Sequence, residues 1–266
     1  MKEKQKTIKQ SVSLSGTGLH TGQKGTLTFH PAEINHGIKF RRIDVEGAPI
    51  IEARVENVVD TSRGTTIAHN GVRVYTVEHI LASLRGAGVD NVLIDINCEE
   101  PPIQDGSARY MLEALKSAGI VEQEAEREYL RVKKAVTYFH PKIGCEISIK
   151  PADDFRMEVS VDYNSQVLKP QTATLRNMDD FEKEIAPCRT FVFFQELEML
   201  LKHNLIKGGG IYGAADGYSM TANVVFGWGI SLLILISGLI IRIIVKVKSK
   251  KGYKEDDRTW EDFKET

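Results

Sequence analysis

The residue pair best suited to chemistry is Glu78 followed directly by His79, in the segment TVEH at residues 76–79. Apolar residues recur around this pair at helical spacing, which predicts a helix over residues 77–84 with Thr76 as its N-cap. The positive end of a helix dipole favours an ionised carboxylate and a neutral imidazole. A general base and a zinc ligand need those protonation states. Taken alone, such a pair is more often structural or solvent-facing.

Three other segments could join a reactive site, and each also has an ordinary structural explanation. Residues 16–22 (GTGLHTG) place a histidine among glycines. This pattern is typical of a loop whose backbone comes close to another group, and equally of a plain hairpin loop. Residues 101–107 (PPIQDGS) indicate a turn that leads into a capped helix. Residues 188–193 (CRTFVF) hold Thr190 among aromatic residues, where a threonine is usually structural.

Short strands separated by glycines must position these residues. Alternating apolar residues, such as Leu27 and Phe29 on one face, favour β-structure. The predicted strands are residues 11–16, 25–30, 37–43, 50–55, 65–68, 72–75 and 92–97. Asn70-Gly71 is typical of a tight turn and predicts a hairpin.

Two helices complete an α+β layer in this first block. The helix after Thr76 should end at Gly86 and Gly88. Ser107 is expected to cap the second helix, which Gly119 closes. Its inward side chains should be Met111, Leu112, Leu115 and Ala118.

The charged stretch over residues 122–128 predicts a domain boundary, with a first α+β domain over residues 1–125. The block that follows begins in the same way, with strands and then two helices. Met157, Val159 and Val161 should share one face of a strand. Its predicted strands are residues 129–138, 146–150 and 157–163, and its predicted helices are residues 177–185 and 194–203.

Composition changes after about residue 210. Residues 217–241 carry no charged side chain, and the dense apolar run 224–241 would span about 27 Å as a helix. This predicts a transmembrane segment with its flank over residues 211–245, which would enter the membrane through residues 224–245. A polar charged tail follows at residues 246–266. The alternative, a buried core helix, is disfavoured because the run has no polar face.

Charge and cysteine content exclude several classes of protein. The 266 residues have a net charge of −1, so no broad basic face for nucleic acid is expected. The three cysteines show no C-x-x-C spacing, which disfavours a thiolate zinc or redox site and favours small buried residues in a reducing cytosol.

Localisation signals conflict. The polar N-terminus has no apolar segment of a secretory signal, so residues 1–210 are expected to be cytoplasmic. Lysines and an arginine after the apolar run would instead put the C-terminus inside and those residues outside. If the apolar tail is genuine, the chain is membrane-anchored. A non-native junction near residues 208–210 would resolve the conflict.

In order and spacing, these segments resemble the zinc-dependent UDP-3-O-acyl-N-acetylglucosamine deacetylases of lipid A biosynthesis. The segment DTSRGTT at residues 60–66 also fits. The resemblance covers roughly residues 5–209 and is nearest to the branch in which a deacetylase can be fused to a hydroxyacyl carrier-protein dehydratase. It implies two sheet-and-helix layered α+β domains that face each other across the active site. The second, at residues 126–210, would be incomplete.

The resemblance also implies a reaction, hydrolysis of the acetamide of UDP-3-O-acyl-N-acetylglucosamine with release of acetate. Glu78 is similar to the general base that activates a zinc-bound water, and His79 to the first zinc ligand. Thr190 matches the threonine that stabilises the oxyanion, while Asp105 would support a turn. The implied substrate-binding residues are Leu19, His20, Ser62, Arg63, Gly64 and Phe191.

The family pattern breaks at the other zinc ligands. In the family they come from a later H-K-x-x-D segment, and a further histidine serves as an acid or charge stabiliser. The sequence contains no H-K-x-x-D, and its last histidine is His203. Because catalytic zinc normally has three protein ligands, we expect the Zn²⁺ site of this chain to be incomplete.

Three functional hypotheses remain open at this point. The first is a metal-dependent amidohydrolase, a deacetylase by family, which is expected to be defective in this chain because two zinc ligands are missing. The second is a non-catalytic, membrane-anchored remnant that binds a UDP-sugar or a partner. The third is an unstable fragment that exposes strand edges and aggregates.

Overall fold

A computed structural model describes residues 3–62, 64–129, 131–141, 144–164, 169–191 and 202–203. Within these ranges the chain is α+β, with several small sheets and few helices. The strands of the first block are β1 (Lys4–Ile8), β2 (Val12–Thr17), β3 (Lys24–Pro31), β4 (Ile38–Arg42), β5 (Ile50–Glu52), β6 (Val58–Asp60), β7 (Thr66–His69), β8 (Val72–Val74), β9 (Val92–Ile96) and β10 (Ile120–Glu126). Its helices are α1 (Glu78–Ala87) and α2 (Arg109–Ser117).

A five-stranded sheet in the order β2-β3-β9-β4-β5 forms the centre of this block. Its pairs are antiparallel except β4 with β9, which run parallel. Leu27 and Phe29 are fully buried on one face, as their alternation predicted. On the other face, Ser13 and Thr28 form a cross-strand hydroxyl pair. One face of the sheet therefore supplies the core, and the other is polar.

The predicted hairpin at Asn70-Gly71 is confirmed between β7 and β8. Both turn residues have positive φ, 50° and 80°, as a two-residue turn of this kind needs. With β6, this hairpin makes a three-stranded sheet. It brings Thr65 next to the start of α1, because the Val77 amide donates to the Thr65 carbonyl at 3.2 Å.

Helix α1 differs from its prediction at both ends. Thr76 is not its N-cap: the residue has a φ of 54°, and its hydroxyl donates to Glu100 instead of to the helix. Gly86 lies inside the helix, and Gly88, with a φ of 70°, ends it. The sequence pattern could not anticipate the first difference because Glu100 is 24 positions away in the chain.

Helix α2 follows its prediction more closely. Met111, Leu112, Leu115 and Ala118 are all buried. The Ser107 hydroxyl accepts a hydrogen bond from the amide of Arg109, the first helical residue, at 3.2 Å. Ser107 thus stabilises the helix start, although Ala108 occupies the N-cap position.

The charged stretch at residues 122–128 contains a strand. β10 pairs antiparallel with β1, which joins the two ends of the first block. The Arg127 guanidinium adds ion pairs to Glu3 and Asp90. The proposed division after residue 125 falls within the last residues of β10, and the domain limits stay a prediction.

The later block contains two separate hairpins and one short helix among the described residues. β11 (Val136–His140) pairs with β12 (Cys145–Ile149), and β13 (Met157–Val161) pairs with β14 (Gln171–Leu175). Strand β14 was not predicted. Instead of a helix over residues 177–185, a 3₁₀ turn at Met178–Asp180 leads into α3 (Phe181–Glu184). Most of the helix predicted over residues 194–203 lies outside the described residues.

A second apolar cluster joins the two blocks. Phe181 and Leu175 pack with Ala82 of α1 and Leu112 of α2. The Phe181 ring lies directly over Gly86: a Cβ at that position would be 2.2 Å from the ring. Only a glycine permits this approach of α3 to α1.

The predicted membrane segment at residues 224–245, the junction near residues 208–210 and the tail at residues 246–266 lie outside the described residues. Within the described ranges, no helix has both the length and the hydropathy that a membrane span requires.

Candidate active site

Glu78 is the first residue of α1 and is only 2% exposed. Its Oε2 accepts the amide N–H of Thr65 at 2.7 Å. Burial raises the pKa of Glu78 to about 7, which the hydrogen bond from Thr65 opposes. The helix dipole does not keep this carboxyl fully ionised at neutral pH, contrary to expectation, because burial is the larger effect. A carboxyl that titrates near pH 7 suits a general base.

His79 is 1% exposed and adjoins Glu78 in space as well as in sequence. Its Nε2 lies 3.9 Å from Glu78 Oε1. Burial lowers the pKa of His79 to about 4, although the nearby charge of Asp105 acts in the opposite direction. The imidazole is therefore neutral at pH 7, as the sequence predicted, but burial and not the helix dipole is the main cause. Its Nδ1 is buried without a hydrogen-bond partner in the described part of the chain.

Asp105 fixes the turn at residues 101–107. Its Oδ1 accepts the Ser107 amide at 3.0 Å and the Ser107 hydroxyl at 2.5 Å. Its Oδ2 accepts from the Arg189 guanidinium at 2.9 Å and 3.1 Å. Asp105 thus connects the turn to the segment that carries Thr190, which fits its expected supporting role.

Thr190 lies against the same turn. Its amide donates to the Gly106 carbonyl at 2.9 Å, and a Cβ on Gly106 would be 3.4 Å from Thr190 Cγ2. The next residue, Phe191, packs edge-to-face on Tyr163 with ring centroids 5.5 Å apart. The fold therefore brings Thr190 to the turn whose Asp105 charge acts on His79.

The other predicted substrate-binding residues are placed in different ways. Leu19 and His20 are half-buried in the loop between β2 and β3, and both His20 ring nitrogens are buried without a hydrogen-bond partner among the described residues.

Gly64 touches Glu78: a Cβ there would be 3.1 Å from Oε1. Ser62 is exposed, and its hydroxyl donates to Asp60. Arg63 lies outside the described residues.

Glu100 was missed by sequence reasoning. It is fully buried and accepts hydrogen bonds from the loop that carries His20 and from Thr76. A signal for it exists in the sequence: a glutamate in the short segment between a buried strand and Pro101-Pro102. That signal is weak because most glutamates at strand ends face solvent.

The zinc ion implied by the resemblance needs three protein ligands. His79 suits one of them, since it is a neutral, buried imidazole with an unpartnered nitrogen. No group of three His, Cys, Asp or Glu side chains that could hold a metal occurs in the described ranges. The described residues therefore fit one ligand position and not a complete zinc site.

A family profile described as UDP-3-O-acyl N-acetylglycosamine deacetylase matches residues 5–215 of the chain. The chain is 46% identical over 211 residues to the "Bifunctional enzyme LpxC/FabZ" of Bacteroides thetaiotaomicron, an alignment that covers 79% of this chain and 46% of that protein. It is 40% identical over 214 residues to the "UDP-3-O-acyl-N-acetylglucosamine deacetylase" of Methylococcus capsulatus and 41% identical over 215 residues to that of Teredinibacter turnerae. Each of these two alignments covers 79% of this chain and 70% of the relative. The chain thus spans about half the length of the bifunctional relatives that it matches.

Proposed function

The chain belongs to the UDP-3-O-acyl N-acetylglycosamine deacetylase family, and we propose that its site serves the metal-dependent hydrolysis of the acetamide of UDP-3-O-acyl-N-acetylglucosamine. The observation that carries this proposal is the buried pair at the start of α1. Glu78, with a pKa of about 7, can accept a proton near neutral pH. His79, with a pKa of about 4, keeps an unprotonated nitrogen that a metal could bind.

In this proposal Glu78 takes a proton from the attacking water, whose oxygen bonds to the amide carbonyl carbon. The C–N bond then breaks, the proton ends on the amine nitrogen, and acetate is released. Burial supports the role of base, because a carboxyl away from water holds its proton more readily than an exposed one. The Thr65 amide orients the carboxyl through its 2.7 Å hydrogen bond.

Thr190 would stabilise the oxyanion through its hydroxyl. Two contacts support this assignment: its amide is bonded to Gly106, and its neighbour Arg189 is bonded to Asp105. Both contacts attach Thr190 to the turn beside His79. Leu19, His20, Gly64 and Phe191 are proposed to bind the substrate, together with Ser62 and Arg63.

We further propose that the 266-residue chain holds zinc weakly and hydrolyses its substrate slowly. His79 supplies one ligand, and the sequence contains no H-K-x-x-D segment for the others. One ligand cannot hold a catalytic zinc ion against water.

Metal content and acetate release from the purified 266-residue chain test both parts of this proposal. We expect clearly less than one zinc per chain and little acetate release, with whatever release remains lost in Glu78→Gln. The matched control is Glu113→Gln, an exposed glutamate on α2. Zinc near one per chain with rapid release would refute the incomplete site. Acetate release that persists in Glu78→Gln would refute the role of Glu78 as the base. Binding of a UDP-sugar without bound zinc and without acetate release would favour the non-catalytic alternative.

A further inference from the structure

Glu100 is a buried carboxylate that has no charged partner among the described residues. It is 0% exposed, and no cationic side chain of the described residues forms an ion pair with it. A buried charge is costly unless hydrogen bonds stabilise it. Its position just before the turn at residues 101–107 puts it next to the candidate site, although none of the site's proposed chemical steps uses it.

Hydrogen bonds to Glu100 come from two separate parts of the chain. The His20 amide donates to both oxygens, at 2.9 Å and 3.1 Å. The Thr21 amide and hydroxyl donate to Oε2 at 2.8 Å and 2.9 Å. The Thr76 hydroxyl donates to Oε1 at 2.9 Å. These donors satisfy a carboxylate, which only accepts when ionised.

The first part is the loop at residues 18–22, which closes around the carboxylate. A Cβ on Gly18 would lie 2.7 Å from Glu100 Oε2, so a larger residue at this position would displace the carboxylate. The Gly22 amide donates to the Gly18 carbonyl at 3.1 Å and completes the turn. Leu19 and His20 belong to this loop.

The second part is Thr76, two residues before Glu78. Its φ of 54° is unusual for a β-branched residue, and such strain persists only where surrounding contacts impose it. The Glu100 contact is one of these, and the Tyr75 amide bonded to the Glu99 carbonyl at 2.8 Å is another. The direction in which the chain enters α1 is set at Thr76.

We propose that Glu100 is a positioning residue that fixes both the loop at residues 18–22 and the entry to α1, and so holds His20 and the Glu78–His79 pair in one arrangement. This inference rests on the proposed function only where it treats those residues as the substrate-binding and reacting groups. The arrangement itself follows from the hydrogen bonds.

Amide hydrogen exchange measured by NMR on the metal-free 266-residue chain tests this proposal. Glu100→Gln keeps the shape of the side chain but replaces one acceptor oxygen with a donor, which opposes the donors around it. We expect exchange of the His20 and Thr21 amides to rise by about 10- to 100-fold. The Thr65 amide, bonded to Glu78, should exchange roughly 10-fold faster, because the start of α1 shifts. The amides of Phe29 and Ile94 in the central sheet should change only by the loss of global stability.

Asp95→Asn is the matched control, since Asp95 is a buried carboxylate of the same block but is bonded to Arg41 and His30. It should leave the ratio of Thr65 to Ile94 exchange unchanged. An unchanged exchange rate of the Thr65 amide in Glu100→Gln would overturn the proposal, because Glu100 would then stabilise only the loop at residues 18–22. If exchange of all amides in Glu100→Gln becomes faster by the same factor, Glu100 stabilises the fold as a whole and does not position these two segments.

If Glu100→Gln does not fold, Thr76→Val tests the α1 contact alone, because it removes one hydroxyl and keeps the shape. We expect faster Thr65 exchange in Thr76→Val and wild-type exchange in Thr76→Ser, which keeps the hydroxyl. Equal exchange in the two variants would overturn the proposal. None of these measurements needs turnover, so a chain that releases no acetate would count against the proposed function and not against the positioning role.

Discussion

Glu78 and His79 are neighbours in the sequence, yet burial moves their pKa values in opposite directions. Removal from water penalises the charged form of each side chain, so the carboxyl holds its proton and the imidazole loses its own. Both groups therefore tend to be neutral in the folded chain around pH 5 to 6, between the two shifted values. Each shift contributes to stability over a different pH range.

The sign of each contribution follows from the folded and unfolded pKa values. The folded pKa of Glu78 is about 7 against 4.5, so its contribution is fully present below pH 4.5 and is lost as the pH rises through 7. The folded pKa of His79 is about 4 against 6.5, so its contribution is present above pH 6.5 and is lost as the pH falls through 4.

We predict that Glu78→Gln stabilises the metal-free chain at pH 8 and does so less at pH 5. The glutamine carries no charge to desolvate and can still accept the Thr65 amide. The gain at pH 8 relative to pH 5 should be on the order of 2–2.5 kcal/mol, since most of the shift in pKa is expressed between these two pH values. Urea unfolding at both pH values measures it. Equal changes at the two pH values would contradict the burial argument, and Glu113→Gln should show no such difference.

At the scale of elements, the contact between α1 and α3 is unusually close. Gly86 lies within α1, where alanine would normally be better by about 1 kcal/mol because glycine loses more conformational entropy. The Phe181 ring, however, occupies the space of the missing Cβ. Packing of the later block on α1 therefore outweighs helix propensity at this position.

We predict that Gly86→Ala destabilises the chain by about 1–3 kcal/mol, the usual cost of overpacking a core. Chemical unfolding of the single variant measures this effect. In a Phe181→Ala background the ring is absent, and Gly86→Ala should then be neutral or stabilising. If the cost of Gly86→Ala is the same in both backgrounds, the ring is not its cause.

At the scale of the whole molecule, the two blocks are joined by polar contacts of very different burial as well as by apolar packing. Arg189 reaches across to Asp105, which is 7% exposed. Lys116 of α2 reaches across to Glu182 of α3, where both side chains are about half exposed. Burial makes the first contact the stronger one, because solvent screens the second.

We predict that Arg189→Ala lowers the free energy of unfolding by about 1–3 kcal/mol, since it removes the charged hydrogen-bond donor of the buried Asp105 carboxylate and leaves only the longer ion pair to Arg109 at 3.5 Å. Lys116→Ala, the matched control at the exposed contact between the same two blocks, should cost less than about 1 kcal/mol. Thermal or urea unfolding of both variants checks the comparison. A similar cost for the two would mean that the Asp105 contact does not stabilise the junction between the blocks.

The sequence by itself determined those features that depend on neighbouring residues. Strand alternation identified Leu27 and Phe29 as core, Asn70-Gly71 identified a hairpin, and helical spacing identified the buried face of α2. The adjacency of Glu78 and His79 placed both in one turn of α1, and the order of the motifs identified the family. These features are local because a turn or a helical face is set within a few positions of the chain.

Only the tertiary structure decided the features that depend on distant residues. One is the pairing of β1 with β10. Two others are the left-handed conformation of Thr76 and the burial of Glu100, since both depend on hydrogen bonds between segments that are far apart in the sequence. The pKa of Glu78 belongs to the same group, since the fold around it excludes water and outweighs the helix dipole. Burial is a sum over the whole fold, so residue types and spacing identified the candidate base, but its charge state emerged only once the chain was packed around it.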